Sequence, residues 1–403
     1  MPTAFTRAIA SLRGQRKDEL CPIHPPAFQR VVGRLARISA FVILCAVLLA
    51  ARGPADGPIG PTSPYKVLPP IVRGNLALFP LVAAQSRDTS QLLTLDEGVR
   101  TGQVTVTEEG YERGLVRPGQ YVAPRGGAQV NTLVLTNNSS RPLVLLAGEI
   151  VTGGKQDRIV GADRIVPPDS GPIDLGVFCV EPGRWVGSSM SFSPMAAQMA
   201  QPSVRTPAMA AQNQVQVWDS VRAANGRIAA SLSAAPSPDG RTPDFGDSLV
   251  AHPAVIPPTT SYAKVFGSAP VEKAVSQYGG LSAEHEILRQ LKEKGALGVV
   301  VEINGQVVWA DAFASTDLLS RYWPKLMHSY VAQAITSGNL GGAADLPAAQ
   351  DFISNLEGGR EVVETDPGIF RRSDVTGDNY HVFELTSLIA KPPFVVHLAK
   401  MPQ

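Results

Sequence analysis

Short apolar runs divided by turn residues dominate the first half of the chain. Between positions 75 and 185 they read NLALFPLVAA, QLLTL, GQVTVTEEG, NTLVLTN and RPLVLLAGEIV, with NNSS, GAD and PPDSGP as breaks. Runs of this length and spacing predict β-strands. Read as one strand, PLVLLAGEIV puts Leu143, Leu145, Ala147 and Glu149 on one face; PIDLGVFCVE does the same for Ile173, Leu175, Val177 and Cys179. The opposite faces are also apolar, Val144 with Leu146 and Phe178 with Val180. Both strands are therefore expected to be buried on both sides, as in a sandwich or a helix-covered sheet.

From position 283 the period changes. Residues 283–294 predict a helix capped by Ser282, with Ile287, Leu288 and Leu291 on one face and Gly295 as the stop. In GVVVEINGQVVWADAF, Asn304-Gly305 predicts a two-residue type I′ hairpin that pairs Ile303 with Gln306, Val301 with Val308 and Val300 with Trp309. Ser315 or Thr316 then caps a short helix, and Trp323 before Pro324 predicts that it stops and a second helix starts. Leu326, Met327, Tyr330, Val331 and Ala334 form the stripe of that second helix. A helix near 347–356 and strands at 360–364, 380–385 and 394–398 follow. The expected class is α+β: a mostly antiparallel, sandwich-like β unit at 75–187 packed with an α+β unit at 263–403.

The remaining segments lack a core pattern. Residues 188–262 are rich in Ser, Pro and Met and read as a flexible insertion with one helix near 208–225. Residues 52–74 read as a Pro/Gly linker. Residues 38–51, ISAFVILCAVLLAA, are uncharged and follow Arg30, Arg34 and Arg37. Such a helix rises about 21 Å, short of a hydrocarbon core of about 30 Å. Residues 1–51 are thus expected to be a signal peptide or, if uncleaved, an N-terminal membrane anchor, which makes the protein an exported one, periplasmic or extracellular. Cys21 and Cys45 fall in that segment and leave Cys179 with no intramolecular disulfide partner.

Charge narrows the partners. Lys plus Arg number 36 against 35 Asp plus Glu, so no cationic excess exists to hold nucleic acid. The expected partner is a small molecule or a protein. The six histidines show no metal-ligand spacing, Gly153-Gly154 lacks the span and the following helix of a phosphate loop, and no cofactor is expected.

The candidate chemistry lies in LLAGEIVTGGKQDRIV and CVEPGRW. In a functional reading Glu149 and Glu181 act as general acid and base, while Lys155, Gln156, Arg158, Arg184 and Trp185 hold a ligand that the glycine pair lets backbone N–H groups approach. In a structural reading Glu149, Asp157 and Glu181 neutralise Lys155, Arg158 and Arg184, since an unpaired buried charge is costly. The three-to-three balance favours the second. Cys179, in the alternation VFCV, reads as a packed thiol, and Trp309, Asp311, Trp323 and Lys325 as core rather than as a ligand groove.

These two blocks, with GVVVEINGQVVWADAFASTDLLSRYWPKLMHSY, resemble the ARG and rhodanese-phosphatase-superfamily-associated protein domain family from about residue 75 to the C-terminus. The matching positions include Gly148, Glu149, Gly154, Lys155, Gln156, Arg158, Cys179, Glu181, Gly183, Arg184, Trp185, Asn304, Gly305, Trp323 and Lys325. The resemblance implies association with ADP-ribosylglycohydrolase and rhodanese-phosphatase modules in a regulatory or defence-linked setting, and no activity. The export segment and the insertion after Trp185 depart from the family pattern and weaken any reading that needs a cytoplasmic nucleotide. The leading expectation is an exported, non-catalytic binding or scaffolding module. The alternative is a hydrolase or transferase using Glu149 and Glu181 with Lys155 and Arg158 in a cleft between the two units.

Overall fold

The computed structural model describes residues 63–110, 129–189, 191–233 and 259–403. The expected signal or anchor segment, the first part of the expected linker and part of the expected insertion lie outside them. The described chain starts with β1 (Tyr65–Val67), β2 (Ile71–Arg73), β3 (Leu76–Ala83), β4 (Leu93–Thr94), α1 (Leu95–Arg100) and β5 (Val104–Thr107). Next come β6 (Thr132–Asn137), β7 (Leu143–Leu145), β8 (Glu149–Gly153), β9 (Arg158–Val160), β10 (Arg164–Val166), β11 (Ser170–Cys179) and β12 (Ser191–Met199). Helices follow: α2 (Pro202–Thr206), a π-helical turn (Pro207–Ala211), α3 (Gln214–Ser233), α4 (Tyr262–Phe266), α5 (Ala269–Gln277) and α6 (Gly280–Glu293). The last part holds β13 (Gly298–Ile303), β14 (Gln306–Phe313), α7 (Thr316–Ser337), α8 (Leu346–Ser354), β15 (Arg360–Asp366), β16 (Phe370–Thr376), β17 (Tyr380–Ser387) and β18 (Phe394–Pro402). Among these residues no helix is long and apolar enough to cross a membrane.

The class is α+β, as the pattern predicts, but the β unit is a closed barrel rather than a sandwich. Its strands run in the order β11-β6-β5-β12-β8-β9. Alternate residues of each strand fill the interior, among them Val106, Leu135, Val151, Val160, Val177 and Phe192. The closing strand is β12, which comes from the stretch expected to be a flexible insertion. Its SFS start has period two: Phe192 enters the barrel core while Ser191 and Ser193 stay exposed on the outer wall. Serine-rich composition hid a strand whose alternation is short but clear.

A second difference concerns PLVLLAGEIV, which is two strands and not one. The chain turns at Gly148, where φ is +98° and a Cβ would lie 2.7 Å from the Arg205 side chain. Only glycine accepts both conditions. β7 therefore joins a three-stranded sheet, β10-β7-β4, while β8 joins the barrel. Glu149 and Leu143 consequently do not share a strand face.

The large sheet has nine strands, with β1-β3-β13-β14-β18-β17-β16-β15 in order and β2 beside β3. It takes its first strands from residues expected to be linker and β unit, so the two expected units are interleaved within one compact body, Gly60–Gln403. The β13–β14 turn has positive φ at both Asn304 and Gly305, as a type I′ turn requires. Ile303 faces Gln306 as predicted, but a register shift follows, and Val301 faces Trp309 in place of Val308. That shift is a one-residue bulge. One face of the sheet packs under α8 through Phe79, Leu81, Val300, Leu398, Ala349 and Ile353.

The predicted helix break at Pro324 does not occur. α7 is continuous from Thr316 to Ser337, capped by the Ser315 hydroxyl, which accepts from the Leu318 amide. An interior proline costs a helix about 3 kcal/mol, but Tyr322, Trp323, Leu326 and Tyr330 are each fully buried, at about 1.5–3 kcal/mol apiece. Burial wins. The helix packs on β12, β13, α3 and α6 and so joins barrel to sheet. α6 starts at Gly280 instead of at residue 283, with Ile287 and Leu291 buried as expected.

Asp311 of β14 lies fully buried behind α7. Arg205 Nη1 and Nη2 donate to its two oxygens at 3.0 and 3.2 Å, and the Tyr330 hydroxyl donates at 2.5 Å. His397 spans the remaining gap, with Nε2 3.1 Å from Asp311 and Nδ1 2.5 Å from Asp163. An imidazole with carboxylates on both nitrogens must donate from both, so it is protonated. Burial works against that charge, yet Asp163 and Asp311 outweigh it and raise the His397 pKa to about 9. The folded value exceeds the unfolded one, about 6.5, so this stabilisation is complete below pH 6.5 and is lost as pH rises through about 9. Chemical denaturation of the wild type should show that decline between pH 6.5 and 9.5, and His397→Gln should be less stable and nearly flat across the same window.

Candidate functional site

The charged residues of the two sequence blocks divide between separate places. Glu149, first residue of β8, is fully buried against α7: Lys325 Nζ donates to Oε1 at 2.5 Å and the Leu146 amide to Oε2 at 2.8 Å. Lys325 also meets Asp96 of α1 at 2.8 Å. Burial disfavours its ammonium, but the two carboxylates outweigh burial and hold its pKa above the ordinary lysine range. Glu149 has no free face. Its partner is Lys325, more than a hundred residues on, and not the local Arg158 or Arg184.

Glu181 sits elsewhere, after β11. Its Oε2 accepts from Arg184 Nε at 2.6 Å and from the Asp157 amide at 3.1 Å, and Oε1 accepts from Lys264 Nζ at 2.9 Å. Burial opposes its charge, and Arg184 and Lys264 still hold the carboxyl below its usual value. Asp157 accepts from Ser261 Oγ at 2.8 Å and lies 3.4 Å from Arg184 Nη2. Glu149 and Glu181 thus share no hydrogen-bond or ion-pair partner. The blocks do converge through Asp157, Glu181 and Arg184.

The glycine pair has a structural cause. A Cβ on Gly154 would lie 2.2 Å from the Phe192 ring, and one on Gly153 2.6 Å from Ser189 Oγ. Their amides are used within the protein, Gly153 N toward Asp157 and Gly154 N toward Ser189 Oγ at 3.1 Å. They do not present N–H groups to a ligand. Gln156, also expected to bind ligand, is buried with its Nε2 donating to the Glu181 carbonyl at 3.3 Å.

Beside this cluster opens a cleft of about 700 Å³ between the outer barrel wall and α4, with several hydroxyl side chains in its lining. Thr152, Ser191 and Ser193 line the barrel side, Ser188 and Ser189 the loop, and Arg184 and Lys264 the charged end. Exposure here is graded by charge: the side chains of Lys264 and Arg184 are 57% and 20% exposed, those of Asp157 and Glu181 5% and 3%. A ligand in the cleft meets the cations first. Lys155 and Trp185 lie apart from the cleft lining, with Lys155 Nζ 4.9 Å from the Trp185 ring centre. Arg158 is buried, 3.8 Å from Glu108.

The family model of the ARG and Rhodanese-Phosphatase-superfamily-associated Protein domain matches residues 64–400. The chain belongs to this family. No curated protein and no solved structure matches it. The family match spans barrel, helices and large sheet together, in keeping with their interleaving.

Several site residues carried no signal in the linear text. Lys264 and Ser261 sit in TTSYAKVF, a stretch with an ordinary helix cap, and Glu108 and Asp96 look like surface acids. The serine alternation of β12 was a signal, but the serine-rich composition around it concealed the strand. Cys179 is buried, with its backbone amide and carbonyl bonded to Gln214 at 2.8 and 2.9 Å, and burial pushes the thiol pKa up. Trp309, Asp311, Trp323 and Lys325 are likewise core, as expected. Among the described residues no group of three or more His, Cys, Asp or Glu is arranged to hold a metal ion.

Removing Glu149 leaves the Lys325 ammonium buried with only the half-exposed Asp96. Glu149→Ala should lower the unfolding free energy by about 3–5 kcal/mol in urea denaturation, and adding Lys325→Met should recover much of the loss.

Proposed function

We propose that this domain is an exported binding module that holds a small hydroxylated anion in the cleft between barrel and α4, without catalysing its conversion. One observation carries the reading. The ion-paired group beside the cleft holds Arg184 and Lys264 against Asp157 and Glu181, and it is the cations that reach furthest into solvent. The serine and threonine hydroxyls add neutral donors and acceptors of the kind that recognise a hydroxylated ligand.

The non-catalytic part is supported by the carboxylates. A general acid or base must reach substrate, and both Glu149 and Glu181 have their oxygens engaged by cations away from solvent. The export part is supported by the apolar stretch 38–51 behind Arg30, Arg34 and Arg37, kept as a tether if it is not cleaved.

Thermal-shift measurements on the full chain with gluconate, citrate and glucose 6-phosphate should give a concentration-dependent rise in melting temperature for at least one of them. Lys264→Gln should weaken that response about tenfold while leaving the unliganded melting temperature nearly unchanged, because a hydrogen bond to a charged group is worth about 1.5–3 kcal/mol and this one is partly screened by solvent. A response indifferent to Lys264 would remove the cleft from consideration. For the compartment, N-terminal sequencing of protein recovered from the cell envelope and medium should give a new terminus near residue 52 or, for a tether, an intact chain in the membrane fraction; recovery solely from cytosol would refute export.

A further inference from the structure

Arg158 does not line the serine-bearing cleft, and its chemistry is unmet. Its side chain has no solvent exposure, and none of Nε, Nη1 and Nη2 makes a hydrogen bond. Glu108 Oε1 lies 3.8 Å away, too far for one, and that oxygen already accepts from the Lys155 amide at 2.8 Å. The other Glu108 oxygen is buried and without a hydrogen bond as well. The adjacent Cys179 thiol offers no counter-charge, since burial keeps it protonated.

Lys155 is half-buried and lies under the same aromatic ring. Its ammonium lies 4.9 Å from the centre of the Trp185 ring, and the Arg158 guanidinium carbon lies 5.9 Å from the same centre. Trp185 is 43% exposed and is followed by Val186 at 72%, so the ring sits between two cations and solvent on an exposed loop. A buried guanidinium without acceptors is among the most costly arrangements a fold can hold. A ring face offers a cation less than acceptor oxygens do. The fork of Arg158 matches two oxygens of an oxyanion, and an ammonium carried three residues earlier on the chain can reach a third. Three oxygens describe a phosphate group; a carboxylate has two.

We propose that Arg158 and Lys155, covered by Trp185, form a binding site for a tetrahedral oxyanion of the phosphate class, separate from the serine-lined cleft. Entry of the anion moves Trp185 off the two cations and replaces ring contacts with charge-assisted hydrogen bonds. The free ion and a phosphate monoester present the same three oxygens, and both are tested.

The experiment titrates the full chain with inorganic phosphate at constant ionic strength, with chloride and acetate as controls, following tryptophan fluorescence and, in parallel, heat of binding. Phosphate should give a saturable change that chloride and acetate do not. Trp185→Phe should abolish the optical signal while the heat persists. Lys155→Gln and Arg158→Met should each weaken binding at least tenfold, and Lys264→Gln should leave it intact. Arg158→Met combined with Glu108→Gln, which removes both buried charges, should melt at the same temperature as wild type or higher and bind phosphate at least tenfold more weakly. Repeating the titration with glucose 1-phosphate assigns the site: tighter binding than inorganic phosphate points to a phosphorylated ligand, equal or weaker binding to the free ion. Absence of a phosphate-specific response in wild type overturns the proposal, as does a response that survives Lys155→Gln. So does a drop of several degrees for the Arg158→Met, Glu108→Gln pair, which would make Arg158 a structural residue whose loss alone disturbs this region. Loss of the phosphate response in Lys264→Gln but not in Lys155→Gln would leave the cleft reading standing and remove this one.

Discussion

Asp311 is a carboxylate with no route to solvent, and every group that neutralises it arrives from a different part of the chain. Arg205 comes from α2, Tyr330 from α7 and His397 from β18, while Asp163 closes the far side of His397 from the loop after β9. A buried charge tolerates no missing partner, so these segments must dock together or not at all. The same demand fixes Gly148, because the Arg205 side chain runs where a Cβ would stand. One ionic centre therefore locks the barrel entrance, the helical layer and the large sheet into a single arrangement.

α7 is the element through which this constraint spreads. Along its length it presents Lys325 to Glu149 and Asp96, Tyr322 to the Val144 carbonyl and Tyr330 to Asp311. Its apolar residues meanwhile fill the main core. A helix broken at Pro324 could not hold Lys325 and Tyr330 in register, which is why the burial around Trp323 matters beyond its own energy. The interleaving of early strands with late ones follows: β3 pairs with β13, and β12 closes a barrel begun at β5.

The charged neighbourhood beyond that centre is of another kind. At Glu149 and Asp311 each ion is matched and enclosed. Around Lys155 and Arg158 the matching is incomplete and an aromatic ring covers the cations, while Arg184 and Lys264, paired with Asp157 and Glu181, reach toward solvent beside a hydroxyl-lined wall. Complete enclosure is what stability requires, whereas cations more exposed than their carboxylate partners beside a hydroxyl-lined cleft are what ligand binding uses.

The α+β class, the Asn304-Gly305 turn, the two-sided burial at the end of β11 (Val177, Phe178 and Cys179, while Asp174 and Gly176 are exposed) and the inert setting of Cys179 were legible in the sequence, because each depends on spacing and composition within about ten residues. The family could also be read from its blocks. Sequence alone also marked Asp157, Glu181 and Arg184 as one charged group. It could not separate Glu149 from them, since the deciding partner, Lys325, is distant along the chain and a count of local charges balances without it. Nor could it find β12 behind its serines, the barrel that β12 closes, or the unbroken α7. Those were settled only by tertiary structure, where burial of large side chains outweighs a local helix breaker and where the pairing of each buried ion depends on which strands and helices meet.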